Sequence, residues 1–282
     1  MWPMNLPTIM LGLYGYPLVL AQVANGAFGL QPFHIDLSHD FSKMIKQVED
    51  TELPADYEFP EISPSFGLDP SLLKSWKDEW TTSFDWEKEQ AAMNEFNHFK
   101  ATIEGLEIHF IHETSDAPDA IPLILLHGWP GTFMEFGSVI DDLKKGATTA
   151  TGKPVSFNVI VPSLPGFAFS SVPPANWTAQ DTGRVFNTLM TKVLGYERYA
   201  VHGTDWGVSV AYSMYDGFNT SVRAAHFNFL PFLPLQPDQL AAQNISLSPL
   251  EEFEEQRFLE WNTAGIGYFI EQTNKVRSYI IV

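Results

Sequence analysis

The chain has 282 residues, with 16 Lys and Arg against 34 Asp and Glu, a formal charge of −18 that argues against nucleic acid and anionic membrane surfaces as partners. With 45% hydrophobic residues it can bury the core of one large domain with appendages, or of two modest ones. With no cysteine it forms no disulfide, thiolate nucleophile or zinc–cysteine site.

Residues 1–24 read as a signal peptide. They carry no charged side chain, hold an apolar run from Ile9 to Ala21, and offer small-residue cleavage sites at Ala21 and Ala24. Three glycosylation sequons, at Asn176, Asn219 and Asn244, suit a secretory route, with secretion or retention in the endoplasmic reticulum as the destination. From Pro32 to about Asn97 the pattern is helix and loop. Phe41, Met44, Ile45 and Val48 fall at helical spacing, Pro60 and Pro64 mark an irregular stretch, and a second helical run starts at Leu72 and continues through Trp80 and Trp86. Residues 30–100 thus form an extension clamped onto the next domain of the chain.

A hairpin is predicted next, with strands around Phe99–Ile103 and Leu106–Phe110 and a turn at Glu104-Gly105. Ile121–Leu126 is a continuous apolar run, as expected of a strand covered on both faces. After it come His127-Gly128-Trp129-Pro130-Gly131 and a helix in which Thr132 and Glu135 form a capping box, with Phe133, Phe136, Val139, Ile140 and Leu143 as its buried face. Phe157–Val161 is the next strand, and Thr178 with Asp181 caps another helix whose inner face holds Leu189, Met190 and Val193. A strand from Tyr199, its helix, and a strand from Val222 to Leu230 come after. This alternation predicts an α/β fold over 101–231: a mainly parallel sheet with helices on both faces. Prolines 231, 234, 237 and 249 then punctuate a linker, and 232–282 reads as the start of a helical cap.

The chemistry centres on Gly203-Thr204-Asp205-Trp206-Gly207. A strand, a tight turn with small flanking residues and a helix make a nucleophile elbow, here with Asp instead of Ser at its apex. A carboxylate needs no base to attack; it forms an ester that must be hydrolysed in a second step. The plainer alternative is that Asp205 only caps the helix. Ser209 mimics the serine form of the motif, but the helix pattern places it past the turn. Backbone N–H groups of Trp129 and Trp206 can supply an oxyanion hole for that second step. His127 is read as structural. Trp129, Phe167 and Trp206 would line an apolar pocket. No metal or cofactor site is expected.

From about Pro32 to about Thr273 the chain resembles the α/β-hydrolase-fold epoxide hydrolases of the microsomal and fungal type, including the juvenile-hormone branch. The resemblance rests on Phe33–Leu37, on Trp86 through Phe99-Lys100, on the two turns above, and on Pro162-Ser163-Leu164-Pro165-Gly166, Asn228–Pro231 and Gly267-Tyr268. It implies that 30–100 is the family's amino-terminal meander and 101–231 its α/β-hydrolase core. It further implies that Asp205 attacks an epoxide carbon and that Tyr268 is one of two cap tyrosines that protonate the epoxide oxygen. The expected partner is a small apolar epoxide; a second copy of the chain and a weakly held membrane surface are left open. The resemblance also calls for a second tyrosine, an acid and a late histidine. Only His226 comes after Asp205, and it falls within a strand. The expectation is therefore a chain lacking the family's carboxyl-terminal part and the hydrolytic half of its site. The alternatives are a non-catalytic binding protein on the same core and a haloalkane dehalogenase; the Asp at the elbow leaves a serine esterase least favoured.

Overall fold

The computed structural model describes residues 27–54, 68–229, 235 and 237–274. The expected signal segment at 1–24, the stretch around Pro60 and Pro64, the prolines 231 and 234, and residues 275–282 lie outside them. The chain divides into two compact units, 1–230 and 231–282.

The first unit begins with β1 (Gln31–Phe33), α1 (Ser38–Asp50), α2 (Pro70–Thr82) and α3 (Trp86–Met93). It continues through β2 (His98–Ile103), β3 (Leu106–Glu113), β4 (Ile121–Leu126), a 3-10 turn (Phe133–Phe136) and α4 (Gly137–Lys145). Then come β5 (Phe157–Pro162), α5 (Ala179–Thr188), a π turn (Leu189–Val193), β6 (Tyr199–Thr204), α6 (Trp206–Gly217) and β7 (Val222–Asn228). These strands form a seven-stranded sheet in the order β1-β2-β3-β5-β4-β6-β7. The β5-β4-β6-β7 pairs are parallel, and β1-β2-β3-β5 is antiparallel.

The apolar run of β4 is explained by cover on both faces. Ile124 and Leu126 pack with Val185, Phe186, Met190, Val210 and Met214 of α5, the π turn and α6. Leu123 and Leu125 pack with Phe133, Phe136 and Ile140 on the other side. The β2–β3 turn needs a left-handed backbone at two successive residues, and Glu104 and Gly105 adopt φ 52° and 83°. The Thr178–Asp181 capping box forms as expected.

Four local expectations are corrected. Residues 31–33 form a strand, because β2 offers them an edge to pair with. The second helical run breaks before Trp86, where the Asp85 side chain accepts the Lys88 N–H and starts a new helix. Val139 is 42% exposed, since the buried stripe of α4 is narrower than the apolar pattern. Thr132 and Glu135 do not make a reciprocal box: Thr132 accepts the Met134 N–H, and the Glu135 carboxylate goes elsewhere.

A chain of buried side chains ties the meander to the core. His98 Nε2 lies 2.7 Å from the Met93 carbonyl, which can only accept, so Nε2 carries the proton. His98 Nδ1 therefore accepts from His109 Nε2 at 2.9 Å, and His109 Nδ1 accepts from the Ser163 hydroxyl at 2.8 Å. Each imidazole is neutral. Burial, with His98 and Lys100 adding like charge, pushes His109 down to about 3. Burial also lowers His98 and His127, and takes His112 to about 4.

These four depressed histidines make stability rise with pH. Between the unfolded value of about 6.5 and the lower folded values the unfolded chain binds more protons, so stability is full above pH 6.5 and falls below it. His109 alone is expected to cost about 2 kcal/mol between pH 7.5 and pH 5. Urea unfolding at the two pH values measures it; an unchanged midpoint would contradict the buried neutral network.

The second unit holds α7 (Pro237–Ala242), α8 (Pro249–Glu260), a π turn (Trp261–Gly265) and α9 (Gly267–Asn274). Ser248 and Glu251 cap α8 reciprocally, with Pro249 opening the helix.

Candidate active site

The carboxyl ends of the neighbouring parallel strands β4 and β6, paired up to Leu126 and Gly203, present the two turns side by side. Asp205 sits between β6 and α6 at φ 47°, ψ −122°. A non-glycine residue there carries about 1–3 kcal/mol of backbone strain, which the packing on either side must hold. An ideal Cβ on Gly203 would lie 2.5 Å from the Gly207 carbonyl oxygen, and one on Gly207 2.2 Å from the Leu126 carbonyl oxygen. Strand and helix therefore close on the apex residue through two glycines that have no room for a side chain.

Asp205 makes no side-chain bond to cap α6. Its Oδ1 instead accepts the main-chain N–H of Trp129 at 2.8 Å. This removes the helix-cap alternative and joins the two turns through the carboxylate. Gly128 makes the approach feasible: a Cβ there would meet Asp205 Cβ and Oδ1 at 2.3 Å. The Trp129–Pro130 peptide bond is cis.

Trp206 is the first residue of α6 and is 40% exposed. Phe167 is half-buried and sets its ring edge-on to His127 at 5.2 Å. His127 is fully buried. Its Nε2 accepts the Leu164 N–H at 3.1 Å, and Nδ1 then donates to the Gly128 carbonyl at 3.1 Å. Both ring nitrogens are committed to holding the two loops. Ser209 lies within α6, past the turn. Tyr268 is on α9 in the second unit, half-buried.

Sequence reasoning missed two side chains at this site. Glu135 Oε2 accepts the Thr204 hydroxyl at 3.2 Å. Burial raises its pKa, and the Asp205 charge adds to the rise against the opposing pull of the Thr204 hydroxyl. The spacing from Thr132 to Glu135 pointed to a local cap, and nothing in it signalled a partner 69 residues away.

All eight histidines lie in described residues. His34 comes directly after β1, five strands from β6 and so roughly 24 Å across the sheet. His39 is exposed on α1. His98, His109 and His127 are bonded as above, and His112 bonds the Tyr196 hydroxyl at 2.9 Å. His202 stacks on His226, with their Nδ1 atoms 2.8 Å apart. Among the described residues no histidine forms an ion pair with a carboxylate.

Comparison with known proteins places these features. Residues 30–136 match the family described as epoxide hydrolase N terminus, and residues 121–255 match the alpha/beta hydrolase fold. A putative epoxide hydrolase of Stigmatella aurantiaca is 33% identical over 75% of this chain and 47% of that protein. The solved Aspergillus niger epoxide hydrolase is similar with a TM-score of 0.74 and 31% identity, over 87% of this chain and 63% of that one. The juvenile hormone epoxide hydrolase of Bombyx mori reaches a TM-score of 0.77 at 26% identity, over 89% of this chain and 61% of that one. The chain spans about half the length of the curated relatives it matches.

Proposed function

This chain belongs to the α/β-hydrolase-fold epoxide hydrolase family, and from that premise we propose that it opens a small apolar epoxide by forming an ester on Asp205. The observation that carries the reading is the Trp129 N–H bond to Asp205 Oδ1 on a strained elbow. With Oδ1 engaged, Oδ2 is the oxygen that attacks a ring carbon. That carbon's bond to the epoxide oxygen breaks as the ester bond forms. The epoxide oxygen takes a proton, for which Tyr268 is the donor: a phenol is neutral and protonated near pH 7. The product is a hydroxyalkyl ester of Asp205. Water attack on its carbonyl carbon places the developing charge on Oδ1, where the N–H groups of Trp129 and Trp206 serve as donors, and yields a diol.

Water attack needs a base. The ring nitrogens of His127 are both committed; His98, His109 and His112 are hydrogen-bonded in the β2–β3 region, His202 and His226 pair with each other, and His34 and His39 belong to the amino-terminal elements β1 and α1 or the turn between them. The 282-residue chain is therefore expected to accumulate the ester. Incubated with styrene oxide, it should gain one epoxide mass on the peptide containing Asp205 and release diol slowly or not at all. Repeated diol turnover would overturn the base assignment; no adduct would favour the binding-protein reading. A dehalogenase is not favoured, given the match over residues 30–136, and a bromoalkane should release no bromide.

We further infer a secretory route for the chain from its glycosylation sequons. The three sequon asparagines, Asn176, Asn219 and Asn244, are all exposed. No helix among the described residues is long and apolar enough to cross a membrane.

A further inference from the structure

We propose that Phe229 walls the substrate pocket beside Asp205 and selects epoxides that carry an aryl group. The proposal rests on the reading of Asp205 as the residue that opens the epoxide, and it names the substituent the site is built to hold.

Three observations carry it. The first is place. β6 and β7 run parallel, and Thr204 pairs with Asn228. Asp205 and Phe229 each come one residue past those partners, so they leave neighbouring strand ends whose backbones lie about 5 Å apart. In a sheet of parallel strands the ligand crevice lies outside the carboxyl ends. The second is the backbone. Phe229 has φ 69°, in the left-handed region. Among the described residues the other non-glycine positions with positive φ are Glu104, Ala168, Asn176, Asp205 and Asn244. Asparagine tolerates that region, Glu104 sits in the β2–β3 turn and Ala168 is small, whereas a bulky aromatic there is an outlier. Strain of this kind persists where the surroundings hold it, and it gathers at functional sites. The third is exposure. Phe227 packs against the core, its ring 6.2 and 6.4 Å from those of Tyr212 and Tyr215. Strand alternation would give Phe229 the same face. The left-handed turn takes it out of that alternation and leaves it 45% exposed.

Neither full burial nor turn chemistry accounts for a phenylalanine at this position, since turn chemistry would select glycine or asparagine. A ligand's apolar surface does. Trp206, the residue after Asp205, is also exposed, at 40%, so two large aromatic residues stand next to the carboxylate, one in sequence and one in strand register. An aryl group on the epoxide gains offset or edge-to-face contact with an aromatic side chain beyond the area it buries. A methyl group gains only its small area. Phe229 thus discriminates by the substituent the epoxide carries.

The first arm of the test is labelling of Asp205 by styrene oxide and by propylene oxide in the native chain, Phe229→Ala and Phe229→Gly. The preference for styrene oxide, as the ratio of the two labelling rates at low epoxide concentration, should fall about 10-fold in both variants. An unchanged ratio would overturn the proposal. The second arm needs no reaction. In equilibrium dialysis styrene glycol, which cannot alkylate, should bind both variants about 10-fold more weakly than the native chain. Equal binding, or none by the native chain, also overturns the proposal. Urea unfolding supplies the third arm. Both variants lose the ring and only glycine relieves the left-handed backbone, so the midpoint of Phe229→Gly should lie above that of Phe229→Ala. The reverse order would remove the strain on which the assignment stands and overturn it. If the native chain forms no ester but binds styrene glycol through Phe229, the role of Phe229 stands and only the nucleophile reading fails.

Discussion

Asp205→Asn is expected to abolish ester formation. Removal of a covalent nucleophile costs on the order of 10⁴-fold or more in the step it performs, because the remaining groups can bind and polarise but cannot make the bond. The substitution keeps the size of the side chain and, with its amide oxygen turned to Trp129, can keep the acceptor that Oδ1 provides. The fold should therefore persist, with a urea midpoint close to native, while the epoxide mass disappears from the peptide. The turn keeps its ties through the buried His127 ring, so the site should remain assembled but inert. An Asp205→Asn chain that gains the same adduct on the same peptide would show that another group is the nucleophile.

Gly207→Ala is expected to destabilise the protein by about 3 kcal/mol or more, and Gly217→Ala, in the same helix, is expected to be neutral or stabilising by up to about 1 kcal/mol. A methyl group on Gly207 would lie 2.2 Å from the Leu126 carbonyl oxygen and 2.6 Å from that of His127. Both contacts are backbone, at the buried end of β4, so no side chain can rotate away. Either the first turn of α6 lifts or the end of β4 gives way, and both movements pull Asp205 from the Trp129 N–H. A methyl group on Gly217 would meet nothing within 4 Å, and alanine there removes only the helix cost of glycine. Urea unfolding of the pair isolates the close approach from helix propensity. A Gly207→Ala chain with a near-native urea midpoint, still forming the ester at the native rate, would refute the claim that helix and strand close on the elbow.

The two substitutions probe different layers of one arrangement. On the proposed reading Asp205 supplies the reactive oxygen, from a backbone held at φ 47°. Glycines at 128, 203 and 207 supply the close packing that holds the strain. His127 holds its own turn to the Leu164 loop through a neutral imidazole, and the Glu135 carboxylate accepts the Thr204 hydroxyl beside the elbow.

Much of this was legible in the sequence wherever the governing interaction is local. The β2–β3 hairpin, the continuous apolar run of β4, the capping box at Thr178 and the glycine spacing around Asp205 all answer to hydrogen bonds or periodicities within a few residues. The elbow itself belongs to this group, since strand, small residue, apex, small residue and helix succeed one another directly along the chain.

The tertiary structure decided what depends on partners far apart in sequence. Residues 31–33 become a strand only because a distant edge, between His98 and Lys100, accepts them. Thr132-x-x-Glu135 satisfies a local capping rule, yet Glu135 bonds Thr204, because the β4–β6 pairing brings that hydroxyl within its reach. The direction of the Ser163–His109–His98 chain is set by a single carbonyl, that of Met93, which cannot donate. Local pattern specifies which elements form. The order of strands in the sheet specifies which side chains meet, and a carboxylate or an imidazole takes its role from the groups it meets.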